Sequence, residues 1–284
     1  MRAEDLLPIT NMGPLDPLSI IALALIVIIG LPHGAFDGAV ALSLGYTRTL
    51  QGFIGFIVIY ILISVLVVMF WLKFPELALV LFLGITVIHF GLSDTQPGTL
   101  IQRGIQIAAH GGMIVIATSM FHWSEVELIF EQLIGGKSEF LWPILLVCTY
   151  GFAGVLAFYG VLAYMRPALR LRLSELAILG VAYSVLPPLA GFALYFCGVH
   201  TPRHVIRIWR SLRKSERGRI SVLPLVVVFT VISWTSGVVI FWLIQTAATV
   251  DSTIIRVIFI GLAALTVPHM ILVDGLFHRR HKDF

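Results

Sequence analysis

Long apolar runs recur along the whole chain, separated by short polar segments. Seven of them approach or exceed the roughly 20 residues that a helix needs to cross a bilayer. These runs are Pro17–Leu44, Gly52–Leu72, Leu77–Leu92, Gly104–Phe121, Leu141–Met165, Val222–Ile244 and Ile255–Phe277. The pattern predicts an all-α fold, a polytopic transmembrane helical bundle.

One further apolar run, Ser174–Val199, is interrupted by Pro187-Pro188. Proline lacks the backbone N–H and clashes with the preceding turn, so a double proline breaks a helix near its middle. We expect this segment to enter the membrane and return on the same side, lining a cavity enclosed by protein. The predicted topology is seven spans plus this broken segment; the alternative is eight spans, with the segment crossing fully.

The distribution of basic residues favours the seven-span topology. One arginine-rich loop, Arg166–Arg172, precedes the broken segment, and a longer basic stretch, residues 203–219, follows it. Eight spans would place these two stretches on opposite faces, against the positive-inside tendency. Seven spans place both in the cytoplasm with Arg48, Arg103 and the C-terminal tail, and the N-terminus outside. We therefore predict a multi-pass protein of the cell membrane.

The composition agrees with a membrane protein. Of 284 residues, 58% are hydrophobic and 12% are charged, which excludes an ordinary soluble domain. We expect residues 1–284 to form a single integral membrane domain, with the first apolar run retained because no signal-peptide features precede it. The basic residues lie in short loops, so a nucleic-acid partner is not expected. Cys148 and Cys197 fall inside apolar segments, which indicates packed thiols rather than a disulfide or a thiolate metal site.

Histidines are the unusual feature of the apolar segments. Six of the nine lie in or at the edges of these segments: His33, His89, His110, His200, His204 and His269. One such histidine is explained by a hydrogen bond between helices, worth about 1 kcal/mol, but six favour a shared site. Neutral imidazole suits iron, zinc or copper, so the pattern predicts a transition-metal site. His200 and His204 are four residues apart, on one side of a helix that Pro202 either begins or kinks.

Three of these histidines are followed within five residues by an aspartate: His33 by Asp37, His89 by Asp94 and His269 by Asp274. A metal-bound imidazole usually donates its other N–H to a carboxylate, so the three aspartates are candidate partners of the ligands. Only the first pair has clean helical spacing. For Asp94 and Asp274 the alternative is an ordinary residue at a helix end.

Proline directly precedes histidine twice within apolar runs, as Pro32-His33 and Pro268-His269. Such breaks often occur where a membrane helix lines a site. A glycine-rich nucleotide loop and a Gly-x-Ser-x-Gly elbow are both absent from the sequence, which disfavours kinase and α/β-hydrolase chemistry.

Four motifs in this order, Pro32–Asp37, His89–Asp94, His200–His204 and Pro268–Asp274, resemble the Brp/Blh family of bacterial and archaeal β-carotene 15,15′-dioxygenases, and the resemblance covers essentially the whole chain. It implies cleavage of the central double bond of β-carotene with O2 to two molecules of all-trans-retinal, the chromophore of microbial rhodopsins, which would receive the product. It also implies non-haem iron(II), whose ligands would be His33, His89, His200 and His204.

β-Carotene is wholly apolar and partitions into the bilayer, so a tunnel that opens to lipid would avoid an aqueous step. The residues expected to line this cavity are His110, His269, Phe90, Phe192, Tyr195 and Phe196, with ordinary core packing as the alternative for the aromatic ones. The competing function is a transition-metal transporter that uses the same histidines, although the basic loops contain no histidine-rich or carboxylate-rich entrance.

Overall fold

The computed structural model describes residues 14–46, 49–214, 222–245 and 249–277. In these ranges the chain is helical without a strand, as predicted. The helices are α1 (Pro17–Leu44), α2 (Leu50–Lys73), α3 (Pro75–Asp94), α4 (Leu100–Phe121), α5 (Trp123–Ile134), α6 (Leu141–Met165), α7 (Arg170–Val185), α8 (Pro188–Tyr195), α9 (Thr201–Lys214), α10 (Val222–Ile244) and α11 (Val250–Leu276).

Seven of these helices, α1, α2, α3, α4, α6, α10 and α11, are long and apolar enough to cross a membrane. The prediction of a multi-pass helical bundle is therefore confirmed. Several residues used to predict its orientation lie outside the described residues: the first 13 residues, Arg48, the basic residues after Lys214, and the tail from His278 onward.

The double proline breaks the membrane segment between α7 and α8 as predicted. Helix α7 ends at Val185, Leu186 is extended, and Pro188 occupies the first turn of α8, where a missing N–H costs nothing. Glu175 near the start of α7 forms a 2.9 Å ion pair with Arg203 at the start of α9, which shows that the chain reverses its direction across the break. Arg172 and Arg203, one from each side of the broken segment, thus lie at the same end of the bundle.

Asp94, the last residue of α3, joins this hairpin to the bundle. Its carboxylate is 3% exposed and accepts hydrogen bonds of 2.7 Å from Arg203 Nη1 and from the Tyr195 hydroxyl. Burial disfavours the charge of Arg203, but Asp94 and Glu175 raise its pKa above the usual value. Four helices, α3, α7, α8 and α9, are thereby fixed to one another by a compact group of charges.

Close contact between α3 and α4 depends on glycine. A Cβ atom at Gly91 would overlap the backbone of Ile107, and one at Gly111 would overlap the backbone of Val87. The two helix backbones therefore touch, as small residues allow in membrane bundles. This contact holds rigidly the part of α3 that contains His89.

The helices depart from regular α geometry near the predicted site. Wider π-helical turns occur at Ile26–Gly30, Met113–Ala117, Phe196–His200 and Ile271–Phe277, and a tighter 3₁₀ stretch occurs at Leu31–Phe36. Such π-turns are rare in proteins overall, and those that occur are often found at functional sites. Three of these four π-turns lie within three residues of His33, His200 or His269.

Candidate metal centre

Five histidines from distant parts of the chain converge inside the bundle. They are His33 of α1, His89 of α3, His200 and His204 at the junction of α8 and α9, and His269 of α11. Each is at most 8% exposed, and neighbouring ring centroids are separated by 5.0 to 5.8 Å. The structure thus brings together all four histidines of the predicted ligand set and adds His269.

The tightest group within this cluster consists of His33, His89 and His269. One ring nitrogen from each lies within 4.8 Å of the others. Imidazole nitrogens bind transition metals at about 2.0–2.1 Å, so two nitrogens on one ion lie up to about 4 Å apart. Small side-chain adjustments would bring the three nitrogens to that spacing.

Unpaired nitrogens in the cluster indicate a ligand. In the described part of the chain, both ring nitrogens of His200 and Nε2 of His204 and His269 are buried without a hydrogen-bond partner. Leaving a buried polar atom unpaired costs about 1–3 kcal/mol, so four such atoms at one place are unfavourable. A transition-metal ion can take one nitrogen from each ring, which accounts for three of the four atoms with neutral donors, and the donor set therefore fits such an ion.

The opposite ring nitrogens of the tightest group have partners. His89 Nδ1 lies 2.8 Å from Asp274 Oδ2, His269 Nδ1 lies 2.8 Å from Asp37 Oδ1, and His33 Nδ1 donates to the carbonyl oxygen of Gly30. With Nδ1–H donating, Nε2 is the nitrogen left free to bind metal. These partners orient the three rings toward the shared centre.

The carboxylate partners differ from those that sequence proximity predicted. Asp37 binds His269 instead of His33, and Asp274 binds His89 instead of His269. In a 3₁₀ turn of three residues, positions four apart point about a third of a turn away from each other, and Leu31–Phe36 therefore separates Asp37 from His33. Asp94 pairs with Arg203 and Tyr195 rather than with a histidine.

An aromatic cavity opens beside the histidines. Its lining combines His33, His89 and His269 with Phe82, Phe90, Phe192, Phe196 and Phe229, and with Leu31, Gly34, Ala35, Tyr60, Thr86, Ser233, Leu262, Leu265 and Thr266. Four residues predicted to line a cavity, His269, Phe90, Phe192 and Phe196, are among them. A Cβ atom at Gly34 would meet nothing within 4 Å, so the wall is open at that position.

Two predicted cavity residues lie elsewhere. Tyr195 is buried and its hydroxyl bonds Asp94, and His110 Nε2 lies 3.2 Å from the hydroxyl of Tyr159. Neither is among the residues lining the described cavity. The polar groups of both side chains therefore have hydrogen-bond partners inside the bundle, away from the cavity.

Sequence reasoning did not include Tyr60, which lines the cavity and donates a 2.8 Å hydrogen bond to Asp37 Oδ2. A lone tyrosine in an apolar span offers no local pattern that indicates its partner. The family resemblance implies a ligand set without His269, yet the unpartnered Nε2 of His269 lies in the cluster. The signal for His269 was the repeated proline–histidine pair.

Comparison with known proteins agrees with this architecture. The family model of β-carotene 15,15′-dioxygenase matches residues 24–277, a range that includes all five clustered histidines. The chain is 32% identical over 267 residues to the β-carotene 15,15′-dioxygenase of uncultured marine bacterium 66A03, covering 92% of this chain and 94% of that protein.

A second relative is the probable β-carotene 15,15′-dioxygenase Blh of Halobacterium salinarum. It is 25% identical over 285 aligned positions, covering 88% of this chain and 81% of that protein. No solved structure matches the chain significantly. The family match extends over nearly the whole length, and the chain therefore belongs to the β-carotene 15,15′-dioxygenase family.

Proposed function

We propose that this protein cleaves the central 15,15′ double bond of β-carotene with O2 to give two molecules of all-trans-retinal. The observation that supports this most directly is a buried cluster of five histidines beside an aromatic cavity in a membrane bundle. Such a site places neutral metal ligands next to space suited to an apolar polyene. Membership of the family supports the same reaction.

The proposed metal is iron(II), with His33, His89, His200 and His204 as ligands and His269 as a fifth imidazole in the same cluster. When bound, iron would supply the O2 activation that these side chains lack. All five imidazoles are neutral, so the positive charge of the ion would be offset by Asp37 and Asp274, which hydrogen-bond to two of the imidazoles. The carboxylates also keep those imidazoles in the tautomer that binds metal.

The cavity wall would bind the substrate by apolar contact. Phe90, Phe192 and Phe196 form one aromatic group, with the rings of Phe192 and Phe196 stacked at 5.3 Å. No carboxylate is among the described residues that line the cavity, whereas a path for transported ions would need polar or charged walls. The lining therefore favours an apolar substrate over the transporter alternative.

Helix α10 would separate the substrate cavity from lipid. Its residues Phe229 and Ser233 line the cavity, while Val228 and Ile232 on the same helix are exposed. β-Carotene would enter from the bilayer beside α10, and retinal would leave by the same route toward a microbial rhodopsin. We place the protein in the cell membrane with both basic stretches, and the C-terminus, in the cytoplasm.

Expression in a host that accumulates β-carotene tests this function. We expect the orange pigment to disappear and all-trans-retinal to form in about twofold molar yield, while His89→Ala yields neither change because a central ligand is lost. Persistent pigment with the normal protein, or products of unequal length, would contradict central cleavage.

A further inference from the structure

Tyr60 lies in α2 and shares a carboxylate with one of the clustered histidines. Its hydroxyl donates a 2.8 Å hydrogen bond to Oδ2 of Asp37, while Oδ1 of the same carboxylate lies 2.8 Å from Nδ1 of His269. The three side chains come from α2, α1 and α11. They form a continuous hydrogen-bonded series that ends at the unpartnered Nε2 of His269.

The aspartate in this series is buried and is held by its two partners. Asp37 is 1% exposed, and each of its oxygens has a partner in the series. The χ2 torsion of aspartate has a broad distribution. A carboxylate with a hydrogen bond to only one of its oxygens can therefore rotate. The hydroxyl of Tyr60 fixes the plane of the carboxylate and thereby the orientation of the His269 ring.

The other ring orientations rely on different contacts. His33 uses the backbone carbonyl of Gly30, and His89 uses Asp274, whose side chain is 15% exposed. In the pair of His269 and Asp37 the exposed fractions are 4% and 1%. Hydrogen bonds are electrostatically stronger where water is excluded. A contact to Asp37 therefore affects the orientation of its histidine more than a contact to the more exposed Asp274 would.

We propose that Tyr60 is a positioning residue of the metal centre: through Asp37, it holds Nε2 of His269 toward the ion. This inference rests on the proposed metal site and adds His269 to its ligands. Tyr60 is also part of the cavity wall, so its loss is expected to alter metal binding first and substrate binding only secondarily.

Cobalt(II), added as a spectroscopic probe to the full-length protein in detergent, tests the proposal. We expect Tyr60→Phe to weaken cobalt binding by up to about 10-fold, the lower end of the usual effect of losing a direct partner of a metal ligand, because Tyr60 acts one step away through Asp37. The cobalt absorption bands should also shift. The matched control is Tyr159→Phe, which removes a hydroxyl from another buried tyrosine–histidine pair and should leave binding and spectrum unchanged.

Asp37→Asn and the double variant test whether Tyr60 acts through Asp37. If it does, the double variant binds cobalt no more weakly than Asp37→Asn alone, because contacts in one series are not additive. Additive losses would overturn this route. Normal cobalt affinity and spectrum in Tyr60→Phe, with only a raised KM for β-carotene, would show a substrate contact and overturn the proposal.

Failure of the underlying metal site gives a different result. In that case the unaltered protein itself binds no cobalt, and the proposed function is overturned together with this inference. Cobalt binding by the unaltered protein with no response to Tyr60→Phe overturns the inference alone. Circular dichroism of each variant confirms that the helices are retained.

Discussion

Metal binding by an imidazole depends on which of its two ring nitrogens holds the proton. At His89 the choice is made by Asp274, whose Oδ2 lies 2.8 Å from Nδ1. A carboxylate at this position favours the Nδ1–H tautomer and increases the electron density at Nε2. In the proposed site, Asp274 would therefore contribute to the metal affinity of a nitrogen that it does not touch.

Replacing Asp274 with asparagine should weaken metal binding by about 10- to 100-fold, because the amide oxygen accepts the same hydrogen bond without a negative charge. Titration of the purified protein with iron(II) or cobalt(II) measures the change. Asp251→Asn is the matched control, since Asp251 accepts a 3.0 Å hydrogen bond from the backbone of Leu15. Equal affinities in the two variants would count against the role of Asp274.

The sequence predicts which histidines are unusual but not which residues orient them. Nine histidines in a chain of low charge are visible at once. The carboxylate that serves His89 is 185 positions away, and the one that serves His269 is 232 positions away. Proximity in sequence therefore does not identify the carboxylate partner of a histidine here, because the pairing depends on how the helices pack together.

Among the helices, the contact between α3 and α4 determines where His89 lies. Gly91 and Gly111 each face the backbone of the other helix. Any side chain at these positions would push the helices apart. His89 and Phe90 precede Gly91 directly, so separation of the helices would move a proposed metal ligand and part of the cavity wall together.

Gly111→Ala should destabilise the protein by about 1–3 kcal/mol, the usual effect of overpacking a filled interface. The new Cβ would overlap the backbone of Val87. Thermal unfolding in detergent measures the loss. Gly104→Ala is the control on the same helix, since a Cβ there would meet nothing within 4 Å. A Gly111→Ala protein as stable as Gly104→Ala would refute the close contact.

The helices were more predictable than their irregularities. Apolar length identifies the seven spans, and the chemistry of Pro187-Pro188 is local, so the break between α7 and α8 follows directly from the sequence. The π-turns at Phe196–His200 and Ile271–Phe277 have no comparable local cause. They depend on packing between helices, which a single sequence does not reveal.

At the scale of the molecule, the bundle combines two kinds of interior. The cavity beside the histidines is largely aromatic, while the end of the bundle at Asp94 contains the charged group with Arg172, Glu175 and Arg203. The charged group anchors the broken hairpin that ends at His200 and His204. The hairpin thus positions His200 and His204 in the cluster, whose other three histidines lie on the spanning helices α1, α3 and α11.

The overall fold and the existence of a shared histidine site follow from the sequence, since both depend on composition and spacing. The shape of the cavity does not, because it is formed by residues from six helices, α1, α2, α3, α8, α10 and α11, and from the π-turn at Phe196–His200. Tyr60 and Phe229 line the cavity because the helices bring them there, and no sequence motif near either residue indicates it.

Metal analysis of the full-length protein, purified in detergent, tests the central claim most directly. We expect about one tightly held iron per chain in the unaltered protein, close to none in His89→Ala, and an unchanged content in His122→Ala, whose ring lies 2.7 Å from the carbonyl oxygen of Tyr183. Protein that holds no iron, holds only exchangeable zinc, or keeps its iron in His89→Ala would contradict the account.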